Sequence, residues 1–213
     1  MQHILYGYQG SGSAAVEAGL VIAGLPFRIV DAASWDDKSA LDELRSVNPL
    51  AQIPTLKLPD GTVLSESAAI LIHLGLEHPS SGLLPSEPSA RALAIRGLVY
   101  VAANCYSAIG IIDYPERYCI DADDDTRKRI IAGTRARLHS VWDTFADSFP
   151  AMPFLGGAQP GALDLLACVV SKWSGARAHL QASRPAFHEL LTSIERHPKI
   201  APVLDRHWPP KPQ

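Results

Sequence analysis

Asn48-Pro49-Leu50-Ala51-Gln52-Ile53-Pro54-Thr55-Leu56-Lys57-Leu58, followed by Pro59-Asp60-Gly61-Thr62-Val63-Leu64-Ser65-Glu66-Ser67, is the stretch on which the fold turns. Pro59-Asp60-Gly61 has the chemistry of a tight turn, so the apolar runs on either side of it pair as a hairpin. Ser65-Glu66-Ser67 then introduces an apolar helix from Ala68 to about Glu77. Working back from there, His3-Ile4-Leu5-Tyr6-Gly7-Tyr8 is short, apolar and rich in β-formers, and reads as a strand. Ala14 to Ala23 places Ala15, Gly19 and Ile22, with Val16 and Leu20, at helical spacing. Gly24 closes that helix and Pro26 prevents its continuation. Phe27 to Val30 is a second strand, so the chain opens with a βαβ unit, which implies a parallel pair and a right-handed crossover. The order β-α-β, then β-β-α, is a small α/β layer with a mixed sheet.

Working forward, Pro79 to Pro88 has linker chemistry. Beyond it Ala90–Ala108, Asp124–Phe149, Ala162–Ala176 and Pro185–Glu195 all read as helix. The expected division is a first domain over 1–78, a linker over 79–88 and an all-helical domain over 89–213. The 213 residues carry 19 basic and 22 acidic side chains, a formal charge of -3, which gives no support for nucleic acid or an anionic membrane as the main partner. Apolar runs such as Ala68–Ile72 fall far short of the roughly 20 residues a membrane span needs, and the N-terminus has no signal-peptide pattern. The expectation is a cytoplasmic protein. Cys105, Cys119 and Cys168 form no CxxC pair, and the eight histidines show no HxxxH or HExxH spacing, so neither a disulfide framework nor a metal is implied.

Three places carry chemistry. A cis bond at Ile53-Pro54 would turn the Ile53 N–H and C=O outward to pair with an extended peptide; an ordinary trans proline at a strand entrance is the plain alternative. At Glu66-Ser67, helix N-terminal N–H groups and the Ser67 hydroxyl can hold a carboxylate while Glu66 pairs an ammonium, and one α-amino acid group offers both. The plain alternative is a capping segment, with Ser65 or Ser67 as N-cap. The loop Gly10-Ser11-Gly12-Ser13 is neither GxGxxG nor GxxxxGK[ST], so a nucleotide site is weak. A hydroxyl there could stabilise a thiolate, with Ser13 read as the N-cap of the following helix.

These segments, in this order, resemble a glutathione transferase of the bacterial, cytosolic type. The resemblance rests on Ile4 to Tyr8 with the Gly/Ser loop, on Asn48 to Leu56, and on Asp60 to Ile70. It extends more weakly over the helical half, where Pro153-Phe154-Leu155-Gly156 and Gly161-Ala162-Leu163-Asp164 resemble the start of the family's buried central helix. There Gly161 stands in place of the usual Ser/Thr, so a weaker cap on the same helix is expected. The resemblance implies a thioredoxin-like first domain (βαβ-ββα), an all-helical second one, and glutathione as co-substrate. Ile53, before a cis Pro54, would pair with the cysteinyl part; Glu66 and Ser67 would hold the γ-glutamyl end; Gln52 would reach the same end or the backbone; Lys38 would meet the glycine carboxylate.

For the group that activates the thiol, alignment with serine-type members points to Ser11, and with tyrosine-type members to Tyr8 or Tyr6. The nucleophile position of cysteine-type members falls on Gly12, and loop N–H groups are a further possibility. A free thiol has pKa near 8.5, and lowering it by about 2 units stabilises thiolate by about 2.7 kcal/mol. The thiolate would attack a small hydrophobic electrophile against a wall drawn from Tyr106, Tyr114 and Tyr118, with Tyr100 and Trp173 either core or wall. The resemblance also implies a homodimer. A glutathione-dependent disulfide or peroxide reductase, or a non-catalytic binding protein on the same fold, would share these features.

Overall fold

Four strands form one sheet in the order β2-β1-β3-β4: β1 (His3–Gly7), β2 (Phe27–Asp31), β3 (Thr55–Lys57) and β4 (Val63–Ser65). The structure is a computed structural model that describes residues 2–209. β1 and β2 are parallel with His3 opposite Phe27 and Gly7 opposite Asp31; β3 runs antiparallel to β1 with Tyr6 opposite Thr55; β4 returns with Ser65 opposite Thr55. Alternation along the strands sends Leu5 and Leu56 into the core shared with α1 (Ser13–Ile22) and α3 (Ser67–Glu77). Tyr6 and Val30 point to the other face, against α2 (Leu41–Val47). This is the expected thioredoxin-like layer. Helix α2 is an addition, because only Leu41 and Leu44 of its seven residues are buried. Two apolar positions are too few for a periodic signal.

Every element from Pro88 onward is helical. The helix expected over Ala90–Ala108 runs further: α4 (Pro88–Tyr100), a π-wound stretch Val101–Tyr106, and α5 (Ser107–Asp113). Together they make one 26-residue helix, long and apolar enough by length and composition to cross a membrane, a correction to the reading of short apolar runs alone. Its buried residues Leu98, Val101, Cys105, Ile109 and Ile112 belong to the protein core. Helix α6 (Asp124–Ser148) is as expected, with Asp123 accepting from the Thr126 N–H at 2.7 Å. The helix expected over Ala162–Ala176 stops early, as α7 (Ala162–Val170), because Ser174 and Gly175 take φ of 55° and 79° and reverse the chain. Then follow α8 (Ala176–Ser183), α9 (Pro185–Glu195) and α10 (Ala201–His207), of which only α9 was legible beforehand.

Helix α7 has no exposed residue and packs against α1, α3, α4 and α9. At its start a Cβ on Gly161 would lie 2.9 Å from the Leu83 carbonyl oxygen. That same oxygen accepts the Ala162 N–H at 2.8 Å, so the linker backbone does the capping that a Ser or Thr would otherwise do. The Asp164 carboxylate, fully buried, accepts from the N–H groups of Leu155 (2.8 Å), Gly156 (2.8 Å) and Gly161 (2.9 Å). Asp164→Ala leaves three N–H groups without that acceptor, and we expect it to lower unfolding free energy by about 3 kcal/mol or more in urea denaturation.

Candidate functional site

The register places the predicted residues together. Because Tyr6, Thr55 and Ser65 lie in one row across β1, β3 and β4, three segments share one end of the sheet. These are the loop after Gly7, the turn before Thr55, and the entrance to α3. Strands about 4.8 Å apart set the spacing. The end of β2 is beside them, since Gly7 pairs with Asp31.

Asn48 builds the turn before β3. Its Nδ2 donates to the Gln52 carbonyl (3.2 Å) and to Thr55 Oγ1 (2.9 Å), its Oδ1 accepts from the Leu50 N–H (3.1 Å), and Thr55 Oγ1 donates to the Gln52 carbonyl (2.7 Å). Ile53-Pro54 is cis, Pro54 is buried and Gln52 is exposed. The Ile53 N–H and C=O have no partner among the described residues.

Neither Ser65 nor Ser67 caps α3. Glu66 occupies that position at φ 68° and ψ 109°, a conformation costly for a residue with a side chain, and its carboxylate makes no capping bond. Ser67 Oγ is buried and has no hydrogen-bond partner among the described residues. The first-turn N–H groups, a buried orphan hydroxyl and an exposed carboxylate therefore stand at one place, the chemistry expected of a carboxylate and ammonium receptor.

The loop after β1 differs from expectation. Gly12, not Ser13, precedes α1 as its N-cap residue. Ser13 Oγ accepts from the Tyr8 N–H (3.3 Å) and donates to the Tyr8 carbonyl (3.3 Å). Ser11 Oγ shares a 2.8 Å hydrogen bond with Ser13 Oγ, in which either hydroxyl can donate, and accepts from the Ser13 N–H (3.2 Å). The buried Ser11 hydroxyl is thus tied into the loop's own hydrogen bonds. Tyr6 is a correction: the pleat turns it to the α2 face, where its phenol donates to Glu43 Oε1 at 2.9 Å and is 2% exposed. Tyr8 donates to Asp36 Oδ2 at 2.6 Å, a bond that raises its pKa and lowers that of Asp36. Tyr8, Asp31, Asp36 and Lys38 line a polar crevice of about 300 Å³, and the Lys38 side chain is exposed there.

From the helical domain Tyr106 reaches this loop: its hydroxyl lies where a Cβ on Gly12 would go. Its ring stacks on Trp173 at 5.8 Å and 20°, and Trp173 meets Trp208 edge-on at 6.2 Å. Tyr114 instead lies under the Arg117 guanidinium, 3.9 Å from its ring centre, and Tyr118 is 60% exposed. Tyr100 is core, between Phe145 and Phe149, and donates to the Val141 carbonyl. Trp208 and the helix α10 before it were missed. Pro202 in the first turn was the available signal, but a seven-residue helix with three buried positions shows little periodicity. Next to Trp208, His207 is buried between Gly10, whose N–H donates to Nδ1 (3.1 Å), and Glu17, whose Oε2 takes Nε2 (2.8 Å). Arg206 pairs with the other Glu17 oxygen.

Comparison with known proteins agrees with this architecture. The family description "Glutathione S-transferase, N-terminal domain" matches residues 14–76. The chain is 30% identical over 204 residues to the uncharacterised GST-like protein YncG of Escherichia coli (strain K12), covering 95% of this chain and 97% of that one. A shorter match, 34% identical over 93 residues, is to maleylacetoacetate isomerase of Rattus norvegicus, covering 42% of this chain and 43% of that one. A solved glutathione transferase homologue from Sulfitobacter, with bound glutathione, has a TM-score of 0.84 at 22% identity, covering 96% of this chain and 97% of that one. BphK, a bacterial GST solved as a ternary complex, has a TM-score of 0.78 at 23% identity over 96% and 98%.

The partners of His207 require a neutral ring, because only an unprotonated Nδ1 can accept from Gly10. Burial, then the Arg206 guanidinium, push its pKa down to about 4 from an ordinary value of 6.5, with Asp31 opposing. A histidine lowered on folding contributes stability that is complete above its unfolded pKa and lost as pH falls through the folded one. We therefore expect unfolding free energy to drop as pH falls from about 6.5 to about 4. Urea denaturation across that window checks it: His207→Gln should be less stable at pH 7 and show a flatter pH dependence.

Proposed function

The chain belongs to the glutathione S-transferase family, and from that premise we propose that it holds reduced glutathione along the cis-proline turn and the start of α3, and presents the thiol as thiolate to a small hydrophobic electrophile. The observation that carries this reading is Ser67: a buried hydroxyl with no protein partner, at a helix start with no side-chain cap, beside Glu66. In this reading Ser67 and the first-turn N–H groups take the γ-glutamyl carboxylate, and Glu66 takes its ammonium. The unpaired N–H and C=O of Ile53, set by buried Pro54, bond the cysteinyl unit as a strand edge would. Gln52, exposed at the same turn, reaches the peptide, and Lys38 in the crevice beside Tyr8 meets the glycine carboxylate.

This arrangement lays the tripeptide across the end of the sheet with its sulfur towards the loop Gly10–Ser13. The thiol proton passes to solvent. The thiolate forms a carbon–sulfur bond with the electrophile, and the leaving group departs with its electron pair, or a conjugated acceptor takes up a proton. Holding the thiol in place and favouring its ionised form are both tasks for groups fixed before substrate arrives. The Tyr106–Trp173–Trp208 stack forms an aromatic side to the electrophile's position. Three unpaired cysteines suit a reducing cytoplasm.

We also propose a homodimer. Leu76 of α3 and Leu93 and Val99 of α4 are each about half exposed on helices that touch, which offers apolar surface to a second copy. Light scattering should give twice 22.9 kDa, and a monomer at micromolar concentration would remove this part of the reading. Calorimetric titration tests the site itself. The wild-type protein should bind glutathione, and Ser67→Ala should bind about tenfold or more weakly, the worth of a hydrogen bond to a charged group. A folded wild-type protein that bound no glutathione would sink the proposal.

A further inference from the structure

We propose that the Tyr106 phenol, reaching in from the helical domain, donates the hydrogen bond that holds the glutathione thiolate, occupying the space that a side chain at position 12 would fill. This rests on the reading of the sheet end as a glutathione site.

Gly12 is the first part of the argument. Its φ of -62° and ψ of -14° are open to any amino acid, so the backbone does not ask for glycine there. Space does. An added Cβ would overlap the Tyr106 hydroxyl and come within 3.1 Å of Cζ and 3.3 Å of Cε1. Gly12 and Tyr106 are thus a complementary pair, and the loop's missing side chain is replaced by a hydroxyl from the other domain.

The second part is which hydroxyl still has a proton to give. Tyr6 donates to Glu43 and Tyr8 to Asp36, while the Ser11 and Ser13 hydroxyls are bonded to each other and Ser13 also to the Tyr8 backbone. The Tyr106 hydroxyl has no hydrogen-bond partner among the described residues, although its ring is fixed by stacking on Trp173. Burial, with the carboxylates of Glu66 and Asp113 adding to it, pushes the phenol pKa up to about 12. It is therefore protonated throughout the working range, a donor and not a base.

The phenol lies against Gly12 of the loop, and the Glu66 carboxylate at the entrance to α3 adds to the rise in its pKa. The two charged groups facing it, Glu66 and Asp113, both oppose a second negative charge. Glu66 is neutralised by the bound ammonium; Asp113 is not, so a thiolate there needs a fixed donor. The sulfur loses its own proton to solvent, Tyr106 keeps its proton and shares it with the sulfur, and bond formation to carbon releases the phenol.

The test is ultraviolet titration of the glutathione thiolate on the intact protein, with calorimetric affinity measured alongside. Tyr106→Phe should raise the bound thiol pKa by about one unit, a tenfold loss of thiolate at a given pH below it. Turnover of an activated aryl halide should fall about tenfold near pH 6.5 and approach wild type at high pH, with little change in KM for glutathione. Gly12→Ala should lose glutathione affinity, and Gly12→Ala/Tyr106→Phe should regain part of it, a non-additivity that reports the contact between the two positions, while the shifted titration reports the donor. An unshifted titration in Tyr106→Phe with glutathione still bound would overturn this inference and leave the glutathione site standing, most clearly if Ser11→Ala moved the titration instead. Absence of glutathione binding by wild type would take both down.

Discussion

Three backbone N–H groups converge on one buried carboxylate, that of Asp164, and the rest of the molecule is arranged around the helix this bond network begins. Helix α7 is buried on every side, so it has no polar face to tell it which way to turn. Its rotation and depth have to be fixed at an end. Asp164 does this by tying the helix to the Leu155–Gly161 turn, and the Leu83 carbonyl ties it to the linker. Since α1 and α4 both pack on α7, the same anchor sets how Gly12, at the start of α1, faces the helix that carries Tyr106.

Close approach makes that transmission stiff. Where α4 crosses α7, a Cβ on Gly97 would come within 2.5 Å of Leu163 Cδ2, so a larger residue there would have to push the buried Leu163 side chain aside. An interior packed to this density passes a displacement on instead of absorbing it. A site assembled from the end of a sheet and the side of a helix in another domain depends on such packing. Its parts are joined by no disulfide among the described residues.

How much of this could be read from the chain follows from the range of each interaction. The hairpin, the βαβ unit and the Asn48–Ser67 stretch are written locally, in turn residues and two- or three-fold spacing, and the structure has all of them. The gathering of Ile53, Glu66 and Ser67 was legible too, because hairpin register follows from the turn between them. Short elements were not. Helices α2, α8 and α10 have eight residues or fewer and two or three buried side chains each, below what periodicity can report. Nor were the hydroxyl partners legible. That Tyr6 belongs to Glu43, Tyr8 to Asp36 and Ser11 to Ser13 depends on which way each side chain turns. Gly12 could be seen as a missing nucleophile but not as a vacancy filled from about 94 residues further on, since that contact crosses the domains.

The division of labour between the domains has a physical basis. Peptide recognition uses backbone groups and helix ends, which a small sheet with one well-placed helix can supply alone. Ionising a thiol, as proposed, calls for a fixed donor in a place partly cleared of water. The helical domain adds side chains at one loop. Tyr106, stacked on Trp173, closes over Gly12, while His207 takes the Gly10 N–H and is itself braced by Glu17 of α1. The bond from Gly10 to His207 withdraws one loop N–H from any part in holding an anion and makes it a strut. A loop whose own hydrogen bonds are committed to its shape can be rigid without being the catalyst, and under the proposed mechanism rigidity on one side of the cleft is what would let a single phenol on the other be aimed at the sulfur.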